Sequence, residues 1–186
     1  ATKPESEPVK KEAYNPAATR TVDLKYMDLD ISFDWEKEHV LGLAKLTLSP
    51  YFYSIREIEL DAVQMDILSL TLSGEKNLNY QYDGEKLRID LGREYTRKED
   101  FIVHIKYVAK PSLGRINDQD YKLGDQGLYF INSQGLNPEK PQQIWTQGET
   151  EYNSRWFPTV DKPNERYKHD IKITVEDRFA TLSNGF

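Results

Sequence analysis

From Val22 onward apolar and polar residues alternate, with Leu29, Ile31, Phe33 and Trp35 on one side and Asp28, Asp30, Ser32 and Asp34 on the other. Successive side chains of an extended chain point to opposite faces, so this pattern predicts a strand with one buried and one wet face. A polar turn at Glu36 to His39 leads into a second run through Leu48 that Pro50 closes, which predicts an antiparallel pair. No segment carries a sustained 3.6-residue apolar stripe, and no period of 20–50 residues recurs.

Further short runs follow at Ile55 to Leu60, Val63 to Leu72, Leu78 to Tyr82, Leu87 to Leu91 and Phe101 to Val108. Asp83-Gly84 between two of them predicts a tight hairpin with both residues at positive φ. The apolar parity of Val63 to Leu72 shifts between Ile67 and Leu68, as a β-bulge would make it do. The stretch from Pro111 to Pro141 is rich in Gly, Asn, Asp and Pro and reads as a long loop region, interrupted only by Leu128 to Ile131. A last pair of strands is expected at Ile171 to Val175 and Phe179 to Leu182, joined by a turn at Glu176-Asp177. The first twenty residues mix Lys, Glu, Pro and Ala without periodicity and read as a tail or linker, leaving 21–186 as a single β domain. The expected fold class is all-β, an antiparallel β-sandwich or saddle-shaped sheet.

A hydrophobic content of 38% is low, yet sufficient where each strand buries only every second residue. The net charge of −6, with both signs interspersed, argues against nucleic acid as a partner. No apolar run approaches the roughly 20 residues needed to cross a bilayer as a helix. With no cysteine there are no disulfides or thiolate metal sites, so cysteine usage does not reveal the compartment, and export with a removed leader stays open beside a cytoplasmic location.

The three histidines, His39, His104 and His169, lack the His-Glu-x-x-His spacing of a helical zinc site, and each reads as an ordinary surface or satisfied residue. No nucleophile elbow, phosphate-cradling loop or dinucleotide fingerprint occurs. One segment is unlike the rest. Ile144-Trp145-Thr146-Gln147-Gly148-Glu149 is followed by Asn153-Ser154-Arg155-Trp156-Phe157-Pro158 and Asp161-Lys162-Pro163-Asn164. If extended, Gln147 and Glu149 project from one face roughly 7 Å apart, and Gly148 leaves the other face open to another backbone. A carboxylate beside an amide oxygen suits an ammonium group. Read from the residues alone, the pattern fits such a receptor or a polar strand end under a loop.

Thr146-Gln147-Gly148-Glu149, Phe157-Pro158 and Asp161-Lys162-Pro163 resemble, in type and spacing, the amino-terminal domain of the aminopeptidase N type zinc aminopeptidases, a gluzincin family that includes a leukotriene-hydrolysing enzyme. More weakly, the resemblance extends to the first hairpin, to Gly127-Leu128-Tyr129 and to the strand through Ile171. It implies a saddle-like β domain that precedes a zinc-binding catalytic domain and walls one side of its cavity. By position it implies that Glu149 binds the free α-amine of a peptide substrate and that Gln147 lines the pocket for the first side chain. Arg155, Trp156, Phe157, Pro158, Asp161 and Pro163 would support them. Zinc, the general base and the catalytic residues are expected beyond Phe186, where the domain's last strands are expected too, so no catalytic or metal-binding residue is assigned in this chain. Ser154, Lys162 and Gly148 depart from the usual residues and bear on pocket shape. The competing expectations are a free-standing ligand-binding sandwich, using the twelve tyrosines and three tryptophans, and a scaffold domain of an inactive relative.

Overall fold

The computed structural model describes residues 19–113 and 126–185. The predicted tail up to residue 18 and the loop 114–125 lie outside the described residues. The described residues form eleven strands and one short 3-10 turn: β1 Val22–Asp34, β2 His39–Pro50, β3 Ile55–Asp61, β4 Met65–Leu72, β5 Lys76–Asn77, β6 Asn79–Tyr82, β7 Lys86–Tyr95, β8 Phe101–Ala109, β9 Gly127–Ile131, β10 Gln143–Gln147, the 3-10 turn Asn153–Arg155, and β11 Lys168–Thr174. A six-stranded sheet in the order β11-β1-β2-β8-β4-β5 faces a three-stranded sheet β3-β7-β6, and β9 and β10 make a separate two-stranded ribbon.

The alternation of β1 does what it predicts, burying Leu29 and Ile31 almost completely. Unbroken alternation would put Leu24 on the wet face, but the register slips between Leu24 and Tyr26, so Leu24 and Met27 both turn inward. β2 adds Val40, Ala44, Leu46 and Leu48, β8 adds Val103 and Ile105, and the smaller sheet answers with Leu60, Leu87, Ile89 and Leu91 in one continuous core. Each fully buried leucine or isoleucine contributes roughly 1.5–3 kcal/mol of burial, so the two facing sheets are the principal source of stability. The expected bulge in β4 is present, with the ladder to β8 slipping between Ile67 and Ser69 and Leu68 left exposed.

Three local expectations need correction. The Asp83-Gly84 hairpin forms, but only Gly84 has positive φ, at 96°. Asp83 instead takes the N–H groups of Glu85 and Lys86 on its carboxylate at 2.9 and 2.7 Å, closing the turn by side chain. The predicted strand Phe179 to Leu182 does not form. Phe179 stacks on Trp35 at 4.8 Å, drawing the chain across the sheet end, and Leu182 stays exposed. The strand before it, β11, is not antiparallel: it pairs in parallel with β1, from Tyr26 opposite Lys168 to Ser32 opposite Thr174.

Candidate functional site

β10 carries Gln147, leads into Glu149 and owes its position to β9. The two pair antiparallel from Gln143 opposite Ile131 to Gln147 opposite Gly127, and Tyr129 stacks on Trp145 at 4.6 Å. Phe130 is fully buried against Phe33 and Trp35, at 6.1 and 5.8 Å between centroids, which docks the ribbon on the end of β1. Gly127 sits at φ 72°, and any Cβ there would collide with the Tyr152 carbonyl oxygen. The approach of the 152–156 segment to the ribbon therefore requires glycine at this position.

β10 stops at Gln147, so Gln147 and Glu149 do not share the face of one strand as an extended reading implies. Glu149 lies in the turn that follows, where the Tyr152 N–H meets the Gly148 carbonyl at 3.0 Å. The bare side of Gly148 is filled by the Asn153 side chain rather than by a second backbone. The turn and the returning chain nevertheless bring Gln147 and Glu149 to one hollow of about 470 Å³. Residues 146–150 form one wall; Asp161, Lys162 and Pro163, with Glu165 and Tyr167, form the other. Glu149 is exposed, and among the described residues its carboxylate has neither a hydrogen bond nor an ion pair.

Behind the hollow, the chain from Ser154 to Asp161 is zipped to the connection between β3 and β4. Asp61 and Thr159 exchange backbone bonds at 2.7 and 3.0 Å, and Val63 N–H reaches the Ser154 carbonyl at 2.7 Å. The Asp61 carboxylate accepts the Asp161 N–H at 2.9 Å and pairs with Lys86. Asp161 is buried and takes the Ser154 N–H at 2.8 Å; burial pushes its carboxyl above the ordinary aspartate range, against the pull of that bond. Trp156 and Phe157 join the core edge-to-face at 4.4 Å, Pro158 is buried beside them, and Arg155 reaches Gln64 at 3.4 Å. Pro163 is exposed on the rim.

Sequence reasoning missed Glu165 and Tyr167 in the far wall. The Glu165 side chain, 1% exposed, is held by Arg20 at 2.9 Å and by the Leu24 N–H at 2.9 Å. Arg20, assigned from sequence to the tail, thus anchors a wall of the hollow, and its guanidinium lies 4.3 Å over the Tyr51 ring. The Tyr167 hydroxyl is within 3.5 Å of Thr159, and burial raises its pKa. No periodic signal marks such residues; only the return of the chain places them.

Residues 11–186 match the family model of the peptidase M1 N-terminal domain. The chain belongs to that family. Its fold is shared with an M1 zinc metallopeptidase from Deinococcus radiodurans, at 17% identity and a TM-score of 0.63 over 84% of this chain and 33% of that one. Leukotriene A4 hydrolase from Saccharomyces cerevisiae is similar in the same way, at 18% identity and a TM-score of 0.61 over 91% of this chain and 27% of that one. This M1 N-terminal domain therefore spans between a quarter and a third of those two chains. A search of curated protein sequences gives no match. Among the described residues of the domain, no three His, Asp or Glu side chains gather where they could hold a metal ion, and His39, His104 and His169 lie on separate strands. These residues offer no ligand set for the zinc named for its structural relatives. Among the described residues, no helix is long and apolar enough to cross a membrane.

Proposed function

We propose that this domain supplies the ammonium-binding wall of a zinc-dependent aminopeptidase, the zinc being held by a catalytic domain of the same polypeptide. The observation that carries this reading is the unpaired Glu149 carboxylate facing a hollow shared with Gln147. Glu149 takes the free α-ammonium of a peptide by a charge-assisted bond, and the Gln147 amide borders the first side chain. A second glutamate, from the catalytic domain, is expected opposite. Covering the hollow with that domain lowers the local dielectric, which strengthens an ion pair and raises the cost of a carboxylate left unpaired. A substrate with a free amino terminus is favoured on both counts, and an internal peptide bond, which brings no charge, is rejected.

In the enzyme that joins this domain to its catalytic partner, Glu149→Ala is expected to lower kcat/KM by about 2–4 kcal/mol, the scale for removing one partner of a buried charge pair. An unchanged kcat/KM contradicts the assignment. The chain from 1 to 186 by itself is expected to hydrolyse no aminoacyl-nitroanilide, because activating the attacking water needs a metal site from elsewhere; turnover by chain free of host peptidase would contradict that.

A further inference from the structure

Among the described residues, three acids line the hollow, Glu149, Asp161 and Glu165, together with one base, Lys162. Their partners differ. Glu165 is answered by a two-pronged guanidinium, with Arg20 at 2.9 and 3.0 Å, and by the Leu24 N–H. Asp161 is buried and takes the Ser154 N–H on its carboxyl. Lys162 is paired with Glu151 at 2.6 Å, but Lys162 lines the hollow whereas Glu151 does not. The hollow is therefore bordered by the positive partner of the pair, and an ammonium group has three donors, of which this bond uses one. Among the described residues lining the hollow, Glu149 is the one carboxylate left without a partner.

We propose that the hollow is built to accept one positive charge and to refuse a second, so that amino-terminal residues with uncharged side chains are selected over lysine and arginine. This rests on the amine-binding role of Glu149 and goes further, by naming Lys162 as the residue that sets the charge preference. A first ammonium meets Glu149. A second, carried on the side chain of the same residue, enters a space where Glu165 is already paired with Arg20, Asp161 is buried on the Ser154 N–H, and Lys162 borders the far side. Like charges in a partly enclosed hollow repel more strongly than in bulk water. The polar walls, with Thr146, Gln147, Thr150 and Asn153, suit an uncharged side chain that hydrogen-bonds.

The test is an NMR titration of the 186-residue chain with L-alaninamide, which carries one ammonium, and L-lysinamide, which carries two, following the amides of Gly148, Glu149 and Asn153. The chain is expected to bind L-alaninamide more tightly than L-lysinamide. Lys162→Met is expected to move the ratio of the two dissociation constants toward L-lysinamide by about five-fold, the scale of a partly exposed charge interaction. That change should shrink at high salt. Glu149→Gln separates the two claims: it is expected to weaken both ligands together. If Glu149→Gln weakens both and Lys162→Met leaves the ratio within about two-fold, the charge preference is overturned while the amine site stands. If Glu149→Gln has no effect on either ligand, or neither ligand shifts these amides, the amine site and the preference built on it both fall. The amides of β1, β2 and β8 should keep their positions in both variants, which shows that the fold is intact.

Discussion

The facing sheets and the segment from Gln143 to Tyr167 are held together by different physics. In the sheets, stability comes from area: Leu46, Leu48, Leu87 and Ile89 are fully buried, and many interchangeable apolar contacts share the load. The site-bearing segment has a buried aromatic anchor in Trp156 and Phe157, but its course is set by a few individually specified bonds. Asp61 to Asp161, Asp161 to Ser154, Glu165 to Arg20 and the glycine approach at Gly127 are the chief ones. A region built by area tolerates replacement by similar residues, whereas one built by directed bonds tolerates little and can hold a polar side chain unpaired in front of a hollow. Glu149 is left without a partner while its neighbours Glu165 and Glu151 are paired with Arg20 and Lys162.

That contrast can be broken by perturbing each region and reading both. Leu46→Ala should lower global stability most, by about 2–5 kcal/mol in urea unfolding. Hydrogen exchange should then quicken in both sheets and in the 154–161 segment together, because the whole domain opens. Asp61→Ala should cost less, about 1–3 kcal/mol, since it strands the Asp161 N–H and leaves the Lys86 ammonium only its longer pair with Glu59. Here exchange should quicken first at Thr159 and Asp161, with β2 and β8 amides changed only by the global loss. Equal quickening throughout would show that the segment has no separate tether.

A smaller effect sharpens the comparison through pH. The Asp161 carboxyl is raised above its unfolded value by burial. The folded state therefore holds this proton more tightly than the unfolded chain does. The stabilisation is fully present below the ordinary aspartate value and is lost as pH rises through the elevated folded one. Asp161→Asn should flatten that part of the stability profile and leave the rest in place; an unchanged slope would contradict the burial argument. The smallest effect is expected at Glu149 itself. With no partner to lose, Glu149→Ala should change stability by no more than about 0.5 kcal/mol, and a larger loss would reveal a structural contact.

The same contrast explains what the sequence made legible. Alternation located β1, β2, β7 and β8, and the parity break at Leu68 located a bulge, because period-2 burial writes itself into residue order. The parallel pairing of β11 with β1 was hidden, since neighbours distant in the chain leave no local mark. Phe179 to Leu182 had the pattern of a strand but not the position, because Phe179 was drawn away to Trp35. At the site, motif spacing singled out Gln147 and Glu149, and the structure brings both to one hollow, though by a turn rather than a continuous strand. Arg20, Asp61, Glu165 and Tyr167 escaped notice because single charged or aromatic residues come to line the hollow, or to hold its walls, only through tertiary contacts. In a chain with 31 acidic residues, nothing in residue order separates Asp61 and Glu165 from the rest.

The most direct measurement follows the side-chain carboxyl carbon of Glu149 by NMR while the chain is titrated with L-alaninamide and, separately, with N-acetyl-L-alaninamide, which lacks the ammonium. A saturable displacement of the Glu149 carboxyl resonance by the first ligand and none by the second is the predicted result. Equal displacement by both, or by neither, would contradict an ammonium site at Glu149.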